Sequence, residues 1–116
     1  MKFVSEKEKI SLEELKAMSE KMFGSLVKAV VDIEQEIMVV DADLHADQES
    51  LLLENGSKQE YLWGINLFPE HRNEERFIVF DSMINLRPSW GNRSRGVDDP
   101  KIQERIKAIV NKLVVP

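Results

Sequence analysis

Apolar residues recur with a helical period near both ends of the chain and with a shorter period in its middle. Near the amino end, Ser11 and Glu14 stand three residues apart at the start of an apolar stripe, which is the arrangement of a capping box. Gly24 follows that stripe at a position where helices commonly terminate. The pattern predicts a first helix over about 12–23.

The carboxyl end of the chain has a second helical pattern. Asp99 is a good N-cap residue, and Pro100 suits the first helical position because no intrahelical donor is needed there. The apolar stripe that follows consists of Ile102, Ile106, Ile109, Val110 and Leu113. Its spacing predicts a last helix that begins at 99–100.

Between these helices, β-branched residues are concentrated in short runs. One run extends from Val27 to Ile33 and a second from Ile37 to Val40, which together predict a hairpin. A short helix is expected next, at about 47–54, with Asp47 near its cap.

Two further segments have strand character. They extend from Tyr61 to Phe68 and from Phe77 to Leu86, and a polar connection at 70–75 joins them. This arrangement predicts a second antiparallel hairpin, which ends at Pro88.

The order of these elements indicates an α+β fold. We predict an antiparallel sheet of about four strands, made of two hairpins, with three helices packed mainly on one face. A chain of 116 residues has the usual size of one domain, so residues 1–116 are expected to form a single domain.

Composition narrows the chemistry. The chain contains no cysteine, which excludes disulfides, thiolate nucleophiles and thiolate zinc sites. The start of the chain lacks the apolar run of a signal peptide, and no later stretch approaches the length of a membrane span. A cytoplasmic protein without a membrane partner is expected.

Charge is unevenly distributed. Eight of the 21 acidic residues lie between Ala29 and Ser57, a stretch without Lys or Arg, and the chain as a whole has a net charge of −5. The remainder is mildly basic. Such segregation can steer a charged partner, and the simpler interpretation is a solvated acidic face.

The first candidate site is the run of acids around the histidine at 45. Asp41, Asp43, His45 and Asp47 alternate, so an extended conformation would place them on one side. Carboxylates with one imidazole suit a divalent metal, for which His45, Asp47 and Glu49 are the candidate ligands; no other cofactor is indicated. An EF-hand loop is excluded, because its glycine and its final glutamate are missing. The structural alternative is that Asp47 caps the short helix and His45 makes a local hydrogen bond.

The second candidate site is the arginine-rich loop at 87–96. Its arginines are interrupted by no acid, and its glycines allow tight turns. Backbone amides and guanidinium groups both bind phosphate or carboxylate. The predicted anion-binding residues are Arg87, Asn92, Arg93, Ser94 and Arg95. The alternative is an ordinary loop whose arginines pair with the acidic stretch, within the monomer or across a dimer.

Little in the sequence supports nucleophilic catalysis. Only His45 and His71 are available as imidazole bases, and no serine lies in a nucleophile-elbow sequence. Of the two tryptophans, Trp63 lies on an alternating strand and is expected in the core. Trp90 lies in the loop beside a glycine and is expected to be exposed.

Four segments are distinctive: LHAD at 44–47, LWGINL at 62–67, INLRP at 84–88 and GNRS at 91–94. Together they resemble a small family of uncharacterised prokaryotic proteins classed as a domain of unknown function, and the resemblance covers nearly the whole chain. It implies a prokaryotic source and no particular activity. It adds Asn66 and Asn85 to the polar candidates.

Three function hypotheses remain. The leading one is a non-catalytic binding module, expected as a homodimer, that recognises an anionic small molecule or protein partner through the arginine-rich loop. The second is a small metal-dependent enzyme, similar to a hydrolase, that uses His45, Asp47 and Glu49. The third is a nucleic-acid-binding module, against which the overall acidity argues.

Overall fold

The computed structural model describes residues 1–116 and contains three α-helices and seven short strands. The helices are α1 (Leu12–Met22), α2 (His45–Glu54) and α3 (Pro100–Leu113). The strands are β1 (Lys2–Val4), β2 (Ile10–Ser11), β3 (Val27–Asp32), β4 (Ile37–Val40), β5 (Leu62–Leu67), β6 (Ile78–Val79) and β7 (Val114–Val115). The predicted α+β class is confirmed.

The main sheet has five strands in the order β1-β4-β3-β5-β6, and every neighbouring pair is antiparallel. Strand β3 lies at its centre and pairs with both β4 and β5. A separate parallel pair joins β2 to β7, which brings the end of α3 beside the start of α1. The predicted hairpin over 27–40 is therefore the middle of the sheet.

Helices cover both faces of the sheet. Helices α1 and α3 supply Leu15, Met18, Ile106, Ile109, Val110 and Leu113 to a core cluster of 21 buried residues. On the opposite face, Leu52 of α2 packs with Val30, Val39 and Leu62 in a smaller cluster. Two of the three helices thus share one face, and α2 sits alone on the other.

The capping residues that were read from the sequence bound α1 and α3. Ser11 Oγ accepts a hydrogen bond from the Glu14 amide over 3.1 Å at the start of α1. Asp99 Oδ1 accepts one from the Lys101 amide over 2.9 Å at the start of α3. Each cap satisfies an amide that has no partner within its own helix, so each fixes where its helix begins.

Three expectations need correction. The sheet has five strands rather than four, because β1 pairs along β4 at one edge. Only Ile78–Val79 of the predicted strand at 77–86 pairs with β5, and Met83–Asn85 forms a 3₁₀ turn instead. Helix α2 begins at His45, so Asp47 lies in its first turn rather than at its cap, where Leu44 makes no side-chain bond.

None of the helices combines the length and the apolar character that a crossing of the bilayer requires.

Candidate functional site

One surface cleft brings together residues from both segments that were singled out in the sequence. It has a volume of about 370 Å³ and lies where the start of α2 meets β5 and the segment that follows β6. We call it the His45 cleft and define it by Lys28, His45, Asn66, Asp81, Met83 and Arg95. His45 comes from the acidic run, Arg95 comes from the arginine-rich loop, and Asn66 was a polar candidate.

His45 is the most buried ionisable side chain of this cleft, with 8% of its surface exposed. Its Nε2 lies 2.8 Å from the Ile65 carbonyl oxygen. Because a carbonyl oxygen only accepts, Nε2 carries the proton of the neutral ring and Nδ1 keeps a lone pair. Burial lowers the pKa of His45 below its ordinary value, with the neighbouring Lys28 acting in the same direction. Nδ1 has no hydrogen-bond partner in the protein and is not enclosed.

A second polar group of the cleft also lacks a donor. Asn66 Nδ2 donates to the Asp81 carbonyl over 3.3 Å, whereas Asn66 Oδ1 is buried without a partner. Turning the amide over would place Oδ1 against the Asp81 carbonyl, so the hydrogen bond fixes its orientation. Both acceptors lack a donor from the protein, but only Nδ1 of His45 is accessible, because Asn66 Oδ1 is enclosed.

Positive charge stands at the rim. Lys28 Nζ lies 5.0 Å from the centroid of the Phe23 ring. Arg95 Nε lies 2.9 Å from Asp81 Oδ1, and both side chains of that ion pair are about half exposed. The first residues of α2, His45 and Ala46, also line this cleft, and the start of a helix carries partial positive charge.

The acidic run does not converge. In the helix, successive residues are separated by about 100°, so Asp47 points away from the side that His45 and Glu49 share. Asp47 is exposed, while His45 is buried. The extended conformation on which the metal hypothesis depended is therefore wrong. The structure contains no group of three or more His, Asp or Glu side chains that is close enough to hold a metal ion.

The arginine-rich loop is held from within by Asn92, which is 5% exposed. Its Nδ2 donates to the carbonyl oxygens of Asn85, Ser94 and Gly96 at 2.7, 3.1 and 2.8 Å. Its Oδ1 accepts from the Asp98 amide over 2.8 Å. Asn92 thus holds the loop together, and both polar atoms of its side-chain amide have partners within the protein.

Asp98 engages two donors of this loop. The Asp98 carboxylate accepts hydrogen bonds from the Arg93 amide, over 2.7 Å, and from the Ser94 hydroxyl. These two bonds, led by that of Ser94, hold the pKa of Asp98 below its ordinary value. In this structure, a carboxylate of the chain itself therefore occupies two donors that were predicted to bind an anion.

Arg87 points into the protein. Its Nη1 and Nη2 donate to the carbonyls of Gln59 and Leu62 over 2.7 and 3.0 Å. Its guanidinium carbon lies 4.3 Å from the centroid of the Trp63 ring and 5.4 Å from that of Trp90. Trp63 is 6% exposed and Trp90 is 55% exposed, as the sequence indicated.

Of the five predicted anion-binding residues, the His45 cleft contains only Arg95. Arg87 and Asn92 line a neighbouring cleft, and the Arg93 side chain makes no hydrogen bond or ion pair within the protein. The sequence reasoning missed Lys28 and Asp81. Lys28 is an isolated base on β3 next to the acidic stretch, and Asp81 belongs to a segment that was predicted to be a strand. Neither residue lies in a sequence motif that would mark it as part of a binding site.

Comparison with known proteins extends the resemblance noted in the sequence. No curated protein and no solved structure matches the chain. A family model described as "Protein of unknown function (DUF5674)" matches residues 4–113. That range includes all three helices, the central strands and every residue of the His45 cleft. The chain belongs to the DUF5674 family.

Proposed function

We propose that the protein is a binding module that holds a small anionic ligand in the His45 cleft. The observation that carries this proposal is the convergence of two cations, Lys28 and Arg95, on a cleft whose wall is the start of α2. The binding site differs from the predicted one, because the cleft rather than the loop of Arg93 and Ser94 receives the ligand.

Electrostatics favour an anion at this position. Helix α2 has ten residues, and its first amides have no intrahelical acceptor. A carboxylate or phosphate at a helix start gains both amide hydrogen bonds and the attraction of the helix dipole. The nine-tenths buried His45 beside these amides supplies a free ring nitrogen and marks the cleft as a place for a ligand.

Asp81 shapes the charge of the site without cancelling it. It neutralises one of the two cations through the ion pair with Arg95 Nε. A guanidinium has five N–H donors, so the Nη groups of Arg95 are left for a ligand. Lys28 has no carboxylate partner within ion-pair distance, so the cleft keeps a net positive charge.

Binding of two simple anions tests the proposal. Succinate and 1-propyl phosphate are titrated into the protein at low ionic strength and pH 7.5, and the heat of binding is measured. We expect saturable binding of at least one of them. Arg95→Gln and Lys28→Gln should each weaken it about tenfold, since a hydrogen bond to a charged group contributes about 1.5–3 kcal/mol.

Arg93→Gln is the matched control, because Arg93 is an exposed arginine of the same loop that does not line the cleft. It should bind as the unmodified protein does. The proposal is wrong if neither anion binds, or if Arg93→Gln weakens binding as much as Arg95→Gln.

A further inference from the structure

We infer that the ligand of the His45 cleft is a small hydroxylated organic anion, whose hydroxyl group donates a hydrogen bond to Nδ1 of His45. This inference rests on the proposed function, because it names the class of ligand that the same cleft takes. An anion without a hydroxyl group would pair with the cations of the cleft and leave Nδ1 of His45 without a donor.

The tautomer of His45 sets the polarity of this contact. The Ile65 carbonyl accepts from Nε2 over 2.8 Å, so the proton of the neutral ring is fixed on that nitrogen. Nδ1 is therefore an acceptor, and it lacks a donor within the protein. Because Nδ1 is not enclosed, a ligand that brings an O–H to this nitrogen gains a hydrogen bond for which the protein supplies no donor.

Asn66 borders this contact but does not take part in it. Its Oδ1 is enclosed and unpaired, while its Nδ2 is held by the Asp81 carbonyl. Asn66 follows Ile65 in β5, so it is next in the chain to the residue that anchors His45. A ligand in the cleft thus meets one accepting ring nitrogen, on His45, and two donating side chains, on Lys28 and Arg95.

A ligand that pairs with the cations of the cleft and with Nδ1 of His45 has an anionic group and at least one hydroxyl group. The volume of the cleft, about 370 Å³, stands at the low end of the 300–1,000 Å³ that is usual for ligand sites, so the ligand is small. The exposed side chain of Met83 provides an apolar wall for a short carbon chain. Hydroxy acids and polyol phosphates share this chemistry.

Matched pairs of anions test the inference. Malate is compared with succinate, and glycerol 3-phosphate with 1-propyl phosphate, so that each pair shares its charged group and differs in hydroxyl groups. We expect the hydroxylated member of the better-bound pair to bind about tenfold more tightly by calorimetry. The pair that shows the effect identifies the charged group as carboxylate or phosphate.

His45→Leu isolates the ring nitrogen. Leucine is close to histidine in size and carries no acceptor, whereas glutamine would place its own amide oxygen beside its N–H, as Nδ1 lies beside Nε2 in the ring. Whatever its overall affinity, we expect this variant to bind the two members of a pair equally and so to lose the preference for the hydroxylated member. Retention of the full preference would overturn the inference.

A measurement on the unmodified protein guards against a variant that folds poorly. The nitrogen chemical shifts of the imidazole ring are recorded at pH 7.5, with His71 as the internal reference, since the chain has two histidines. The Nδ1 signal of His45 should move with the hydroxylated anion and stay in place with its partner. Equal affinity within both pairs, with no movement of Nδ1, overturns the inference and leaves the proposed function standing. Absence of all binding overturns the proposed function itself.

Discussion

The side-chain amide of Asn85 pairs with both backbone groups of Gly64. The Gly64 amide donates to Asn85 Oδ1 over 2.8 Å, and Asn85 Nδ2 donates to the Gly64 carbonyl over 2.9 Å. A neighbouring strand would make the same two bonds, so one side chain replaces a strand at the position where β6 has already ended. The same Nδ2 also donates to the Arg95 carbonyl over 3.0 Å, which ties the arginine-rich loop to the sheet.

Asn85→Ala should destabilise the protein strongly. Asn85 is fully buried, and its loss would leave the N–H and the C=O of Gly64 buried without partners. Since each such group costs about 1–3 kcal/mol, we expect the free energy of unfolding in urea to fall by about 3 kcal/mol. The exposed Asn73 is the control, and Asn73→Ala should change it by less than about 0.5 kcal/mol. Similar values for both variants would show that the Asn85 amide contributes little.

Gly64→Ala should destabilise by overpacking. A Cβ at this position would lie 2.5 Å from Ser82 Oγ and 2.6 Å from Ser82 Cβ. We expect a loss of about 1–3 kcal/mol in the free energy of unfolding. In a double-mutant cycle, Ser82→Gly should recover part of that loss, because it removes both atoms.

Ser82→Ala is the sharper comparison for Gly64→Ala. It removes the hydroxyl group and keeps the Cβ at 2.6 Å, so it should recover much less than Ser82→Gly. Equal recovery by both changes would mean that the Cβ contact is not the source of the strain.

Stability should fall as the pH drops below about 6.5, the ordinary pKa of histidine. Burial lowers the pKa of His45 in the folded protein, so the unfolded chain binds a proton in a pH range where the folded protein does not. The loss begins near that ordinary value and is complete once the pH is below the lowered pKa of the folded state. Urea unfolding between pH 7.5 and 5 measures it, and the lower limit avoids most carboxylate titration.

The His45→Gln variant is the control for this pH dependence. It should lose the part of the slope between pH 7.5 and 5 that His45 contributes, while the partly exposed His71 is present in both proteins. An unchanged slope would assign the pH dependence to other groups.

Arg87→Lys should destabilise, although it keeps the positive charge. A lysine cannot donate to the carbonyls of Gln59 and Leu62 in one planar fork, and it loses the stacking on Trp63. We expect a loss of about 2 kcal/mol in the free energy of unfolding, followed by circular dichroism in urea. The exposed Arg93 gives the matched change, and Arg93→Lys should be nearly neutral. Equal losses of unfolding free energy in the two variants would show that the paired hydrogen bonds and the stacking of Arg87 do not stabilise the protein.

The sequence predicted those parts of the fold that depend on interactions between residues close together in the chain. Ser11 and Asp99 cap their helices through bonds that span only a few residues, and both helices begin where those residues indicate. The segment at 77–86 is a strand only at Ile78–Val79, because beyond that point the side chain of Asn85, rather than the backbone of the segment, pairs with Gly64 of β5. Strand β1 was missed because three residues carry no usable alternation, and only the edge of β4 makes them a strand.

The candidate site was predicted residue by residue and not as an arrangement. His45, Asn66 and Arg95 do share a cleft, whereas Arg87 and Asn92 are polar for internal reasons. The sequence alone does not distinguish a polar residue that holds a loop together from one that contacts a ligand. Only their hydrogen-bond partners distinguish them, and those of Arg87 and His45 lie 20 to 28 positions away in the sequence.

The stack of Arg87 between two indole rings has a spectroscopic consequence. Trp63 and Trp90 are the two tryptophans of the chain, and one guanidinium lies against both. One emitter is shielded from water and the other is more than half exposed, at 6% and 55%. The emission of the unlabelled protein therefore combines a signal protected from aqueous quenchers with one open to them. Any opening of the arginine-rich loop would change the emission of both tryptophans. Tryptophan fluorescence therefore reports on the conformation of this loop without an added label.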